Sequence, residues 1–297
     1  MGGKDFESLT KSEAKAFSDW VHQRPSKAGA ETLSASSIVH TLSDLKAFYD
    51  WLTTFQNRKV NLEAVARLTP SRGVLMGLKS QPDEAAPAPD QIRQMLAAIG
   101  DQTVTARRDR ALVAIIYLTG IRVGAVISLR CKHVDVTGRR VFQDAREVST
   151  KCGKTMLTSW FPVGDDIEQI VMAWIAERLE SGADQDAPLF PATQRHRLPG
   201  DKTARKEAFW KSSERVRDVF RDACQKADVP FINPHAVRSS LMQLGLEMCA
   251  TWEELKAWSQ NLGHEKLDTS MVHYGKLGAN RQNELMQGLG PDRCHGV

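Results

Sequence analysis

The chain has 297 residues, 41% hydrophobic and 26% charged, ordinary for a soluble protein with a sizeable core in two domains or one large one. It holds no apolar run of about 18 residues and opens without an apolar signal stretch, so neither a membrane span nor a secretory signal is expected. A net charge of +4 is compatible with nucleic-acid binding without demanding it, and five scattered cysteines without zinc-type spacing fit a reduced, cytoplasmic compartment.

Residues 10–66 read as helices only. Thr10 or Ser12 is placed to cap a helix running to about Val21. A second helix starts at Ser36 or Ser37 and sets Ile38, Leu42, Leu45, Phe48, Tyr49 and Leu52 on one face, a stripe of core type. A short helix is expected near 61–67. Residues 81–89, rich in proline and alanine, read as an extended linker. Asp90 is placed to cap a helix over 91–99.

Residues 110–118 are apolar nearly all round and predict a buried helix. Gly120 interrupts it, and a second helix is expected over 122–129. Residues 133–136 and 140–142 are β-prone around a Thr137-Gly138 turn, and 157–163 is a third candidate strand after a tight connection at 151–155. Helices are expected again at about 166–180, 203–226, 234–248, 252–261 and 267–273. The fold class is therefore mainly α with a small antiparallel β-sheet. Basic residues cluster twice, at Arg107, Arg108 and Arg110, and at Lys202, Arg205, Lys206, Lys211, Arg215, Arg217 and Arg221.

Three separated patches carry chemistry: Thr119-Gly120-Ile121-Arg122, Pro234-His235-Ala236-Val237-Arg238, and Leu262-Gly263-His264 followed by Tyr274. Arginine offers a planar fork of donors that fits two phosphate oxygens. Two such groups can neutralise the charge that builds on a pentacoordinate phosphate. His235, one turn before Arg238, has the chemistry of a general base. Tyr274 offers an oxygen nucleophile able to hold a phosphate covalently. Of the other two tyrosines, Tyr117 falls in the apolar helix and Tyr49 on the N-terminal stripe, both core positions.

Segment 108–124 resembles the first motif box of the tyrosine recombinase (phage integrase) family. Residues 233–238 resemble its His-x-x-Arg box, and 262–274 its Leu-Gly-His … Tyr box. Their order matches, and the resemblance covers about residues 10–280. It implies a helical, SAM-like core-binding domain over 1–80, the linker at 81–89, a catalytic domain over 90–280, and a tail, 281–297, docking on a neighbouring protomer. It also implies Arg122 and Arg238 as clamps on the scissile phosphate, His235 as base, His264 as a phosphate hydrogen-bonding group and Tyr274 as nucleophile. A hairpin lysine protonates the leaving 5′ oxygen in this family. Thr150-Lys151-x-Gly-Lys154 resembles the family's Thr-Lys-Thr-Gly-Lys, whose first lysine is the acid, and this selects Lys151. Lys154, Arg107, Arg108, Lys206 and Lys211 are then expected to contact backbone phosphates.

The implied activity is site-specific recombination through a 3′-phosphotyrosyl bond and a four-way junction, with no metal, cofactor or ATP. Type IB topoisomerase-like relaxation and a catalytically idle accessory protein of the same fold are the alternatives. The implied partners are double-stranded DNA recombination sites, further copies of the chain in a tetramer on DNA, and accessory proteins or a partner recombinase, with no membrane. Two positions depart from the family pattern. Ten residues separate His264 from Tyr274 where many relatives use nine. Ala125 stands where relatives usually carry an acid, three positions past the first clamp arginine.

Overall fold

The computed structural model describes residues 6–26, 31–80, 86–192, 207–264 and Gln287. The chain divides into two units, Met1–Asp83 and Glu84–Val297. No helix among the described residues is long and apolar enough to cross a membrane.

The described part of the first unit is helical. Thr10 opens α1 (Lys11–Gln23): its hydroxyl accepts from the Glu13 N–H, and the Glu13 carboxylate reaches back to the Thr10 N–H at 3.0 Å. This capping box selects Thr10 over Ser12. α2 (Ala35–Thr54) starts earlier than expected because Ser34, rather than Ser36 or Ser37, accepts from the Ser37 N–H. α3 (Leu62–Val65) is capped by Asn61 and packs on α1, while α4 (Arg72–Ser80) packs on α2. No helix was expected at α4, whose Gly73 and Gly77 lower its propensity. Packing overrides that deficit: Val74 lies against the cluster of Val21, Ile38 and Leu42. A second cluster joins Ala14, Tyr49, Ala64, Val65 and Leu68.

The second unit opens with α5 (Pro89–Ile99). Proline suits the first helical position, where its missing N–H would have no partner anyway. The extended stretch thus ends at Ala88, and Asp90 lies in the first turn instead of at the cap. Residues 81–85 of the expected linker lie outside the described residues. α6 (Val104–Thr119), capped by Thr103, is buried at every position from Ala111 to Thr119, as an apolar circumference requires. Gly120 ends it in the left-handed conformation, with φ 61°. A Cβ there would meet Leu262 and come within 3.1 Å of Leu241. Gly120→Ala should therefore destabilise the unit by about 1–3 kcal/mol, from φ strain and overpacking together. The check is a lower urea midpoint at unchanged slope; a wild-type midpoint would show that this junction gives way freely.

α7 (Val123–Val126) is one turn, not the helix expected over 122–129. The chain cannot continue helical because its backbone pairs elsewhere: the Cys131 N–H donates to the Ala187 carbonyl, and the Leu129 carbonyl accepts from Leu189. β1 (Val134–Asp135), β2 (Arg140–Gln143) and β3 (Met156–Ser159) form an antiparallel sheet in that order, with Val134 opposite Val141 and Val141 opposite Thr158. β3 stops at Ser159 rather than near Val163, because the Phe161 N–H turns to the Leu118 carbonyl of α6 at 2.7 Å. The whole segment 144–155, longer than the expected connection, links β2 to β3.

Four helices complete the described unit: α8 (Asp165–Glu180), α9 (Glu214–Ala227), α10 (Ala236–Met248) and α11 (Trp252–Asn261). α9 begins well after position 203. Residues 203–206 lie outside the described residues, and 207–213 form no helix, the Ala208 carbonyl accepting from the Ala192 N–H. The helix expected at 267–273 also lies outside the described residues. α6 is the central element. α5 and α8 pack along it, α9 covers α5, and α10 touches both α6 and α11.

Candidate active site

Three chain segments far apart in sequence meet at Arg238. This residue lies in the first turn of α10 and is 6% exposed. Its guanidinium donates to the carbonyls of Gly120 and Leu262, and to Nε2 of His264 at 3.2 Å. Gly120 lies two residues before Arg122, and Leu262 two before His264. Arg238 therefore ties together the segments that carry the other two candidates. A guanidinium can only donate, so His264 Nε2 is the acceptor and the ring is neutral, with its proton on Nδ1. Among the described residues, the Nε–H and one Nη1–H of Arg238 have no partner, which leaves part of the fork for another oxygen.

No described carboxylate pairs with Arg238. Burial pushes its pKa down to about 10, and the nearby charge of Arg122 adds to the shift. It is still a cation at neutral pH. A buried cation beside a second cation, without a carboxylate, is a site that favours an anion.

Arg122 is half-buried at the N-cap position of α7, in extended backbone. It forms no ion pair among the described residues. The chain passes close to it at Gly263, where φ is 71°: a Cβ there would lie 3.7 Å from Arg122 Nη1 and would collide with Met156 of β3. Ala125, at the position where relatives carry an acid, is buried in the core at 1% exposure. His235 is exposed just before α10, its N–H donating to Asn233 Oδ1 at 3.1 Å. Its carbonyl accepts from the Arg238 N–H, placing the two residues one turn apart.

Lys151 and Lys154 are exposed in the loop between β2 and β3, where Lys151 opens a 3-10 turn (Lys151–Gly153). Tyr274 and Lys206 lie outside the described residues. Lys211 is exposed just before α9.

Two of the residues expected at DNA phosphates have partners within the protein. Arg107 forms a bidentate pair with Glu177 of α8, at 2.7 and 2.9 Å, and also bonds the Asp101 carbonyl. Arg108 is turned into the core: it is 6% exposed, bonded to Asp109 and the Pro191 carbonyl, and stacked 5.0 Å over the Trp210 ring. The basic run in the sequence showed the charges but not the carboxylates that the fold brings to them. Sequence reasoning also missed the Gly120 and Leu262 carbonyls. Every residue has such a group, so nothing in residue type marks these two as the ones that hold Arg238.

Residues 88–281 match the phage integrase family. Similar proteins include tyrosine recombinase XerC of Yersinia pestis, 27% identical over 258 residues that cover 84% of this chain and 71% of that protein. XerC of Serratia marcescens is 25% identical over 250 residues, with the same two shares. The solved structure of the Tn1549 transposon integrase in complex with circular intermediate DNA shares the fold, with a TM-score of 0.59 at 16% identity over 96% of this chain and 87% of that one. A lambda integrase dimer bound to a COC′ core site gives 0.56 at 16% identity, over 94% and 84%. The family match takes in α5 to α11 with Arg122, His235, Arg238, His264 and Tyr274, and the chain belongs to the phage integrase family, the tyrosine recombinases.

Proposed function

We propose that the protein is a site-specific DNA recombinase that breaks and rejoins strands through a 3′-phosphotyrosyl intermediate. The observation that carries this reading is the meeting of Arg122, Arg238 and His264: two guanidinium groups without a carboxylate among the described residues, and a neutral imidazole with a donating Nδ1–H. These groups suit the non-bridging oxygens of a phosphodiester. Donors fixed before the reaction stabilise the transition state without having to reorganise.

In the first step Tyr274 Oη attacks phosphorus and its proton passes to His235. The bond from phosphorus to the 5′ oxygen breaks, and Lys151 Nζ gives that oxygen a proton. In the second step a 5′ hydroxyl from a partner duplex gives its proton to Lys151 Nζ and attacks phosphorus, and the bond to Tyr274 breaks as His235 returns a proton to Oη. The ester keeps the bond energy, so the cycle needs no ATP. Two such exchanges through a four-way junction complete recombination, with four protomers on two duplexes. The helical region 1–80 is the core-binding domain, 81–89 the linker and 90–280 the catalytic domain. The tail, 281–297, docks on a neighbouring protomer. The protein works on DNA in the cytoplasm, and the DNA complexes of the fold relatives support DNA as the partner.

The test is covalent capture. The protein is incubated with nicked duplexes of random sequence, and protein-linked strands are recovered and sequenced to give a preferred site. Two duplexes carrying that site should then yield exchanged products. Plasmid relaxation without exchange would favour the topoisomerase reading. Specific binding without any adduct would favour the idle accessory protein.

A further inference from the structure

We infer that Ser128 is a positioning residue for Lys151, coupling the loop that carries the lysine to the helical turn that follows Arg122. The inference rests on the reading of Lys151 as the acid for the leaving 5′ oxygen.

The base of loop 144–155 is held by its own side chains and by neighbours before β1. Asp144 Oδ1 accepts from the Arg146 N–H at 3.0 Å, and Thr155 Oγ1 accepts from the Ala145 N–H at 3.2 Å. The Glu147 carboxylate accepts from Lys132 Nζ and from His133 Nε2, both at 2.9 Å. His133 is fixed in that role. Its Nδ1 accepts from the Arg130 N–H at 3.0 Å, so the ring proton must sit on Nε2.

A different contact lies nearer the lysine. The Ser149 N–H donates to Ser128 Oγ at 2.9 Å. The same hydroxyl donates back into α7, to the Ala125 carbonyl at 2.9 Å with the Gly124 carbonyl at 3.3 Å. One side chain thus accepts from the loop and donates to the turn that Arg122 opens. Two residues beyond Ser149, Lys151 begins its 3-10 turn, and Cys152 holds a left-handed φ of 59° inside it. The lysine stem is flexible, so the loop backbone must set where its amine reaches. A proton donor has to come within about 2.6–3.2 Å of its oxygen. Without the Ser128 hydroxyl, the Ser149 N–H loses its acceptor, and the tip is left to the base anchors and the buried Val148.

The experiment measures single-turnover cleavage of the captured site with either a normal 5′-oxygen or a 5′-sulfur leaving group, since a thiolate departs without a proton. Ser128→Ala should slow cleavage of the oxygen substrate by about 10–100-fold, the scale on which small misplacements act, and the sulfur substrate by less than about threefold. Ser128→Thr keeps a hydroxyl and should restore most of the rate. Lys151→Ala, run alongside, should show the same sulfur rescue with a larger loss on oxygen. Equal slowing of both substrates by Ser128→Ala, or slowing of neither, while Lys151→Ala is still rescued, overturns the role of Ser128 alone. Failure of sulfur to rescue Lys151→Ala removes the acid reading, and the inference falls with it.

Discussion

Tyr274→Phe will form no covalent adduct on the nicked site that traps the wild-type protein, with cleavage down by at least about 10⁴-fold, the scale seen when a nucleophile is removed. Binding to that site should persist, because phenylalanine keeps the ring and loses only Oη. The other two tyrosines cannot take over. Tyr117 is 1% exposed in the middle of the catalytic core on α6, and Tyr49 is 4% exposed on α2. Burial raises both hydroxyls above the ordinary tyrosine range; Glu13 adds to the effect at Tyr49, while Arg93 partly opposes it at Tyr117. Neither can meet a phosphate without unfolding its helix. The chain has three tyrosines, so this burial singles out Tyr274. The unusual ten-residue step from His264 gives the prediction its edge, because His273 sits where nine-residue relatives place the tyrosine. An adduct that survives Tyr274→Phe would show that the nucleophile is not a tyrosine of this segment, and would remove the mechanism at its first step.

An unbroken apolar run made α6 readable from the sequence: a helix apolar on every side has no stable place but the centre of a domain. Arg122, Arg238 and His264 were readable as candidates for a different reason, since each is a chemically marked residue within four positions of a glycine or proline at a helix end. Their meeting was not readable, because the bonds that hold Arg238 go to two backbone carbonyls and an imidazole. α4 was not readable: its two glycines weaken a helical signal, and the helix stands on packing against Val21 and Leu42. At Arg107 and Arg108 the sequence showed the charges and not their partners. Local charge density pointed to a surface for phosphate, while the fold brings Glu177 from α8 to one of them and buries the other beside Asp109 and Trp210. The link from Ser128 to Ser149 crosses a helical turn, two strands and part of a loop in sequence. No pattern in the chain announces a contact of that kind.

Arg122→Gln should make the DNA-free protein slightly more stable while slowing cleavage by about 10²–10³-fold, the usual cost of removing one preorganised donor to the reacting group. Arg238 is held at about 10, well below the ordinary arginine value. A depressed value for a cation means that the folded protein binds this proton less tightly than the unfolded chain does. The penalty is full below about pH 10, shrinks as pH rises toward the ordinary arginine value, and at neutral pH is on the order of 3 kcal/mol. Burial is the larger cause and Arg122 the smaller. Ala125 supplies no carboxylate to offset the pair. Removing the Arg122 charge should return only its own share, roughly 0.5–1 kcal/mol, or a rise of about 1–3 °C in Tm for a unit of this size. Glutamine keeps part of the stem, so lost packing should not hide the gain. Phosphate or sulfate should raise the Tm of the wild type more than that of the variant, because the anion replaces the missing counter-charge. A clear fall in Tm would mean that Arg122 is held by structural partners. Cleavage within tenfold of wild type would mean that it does not clamp the phosphate. Opposite movement of stability and activity is the result expected of an arginine pair kept open for an anion.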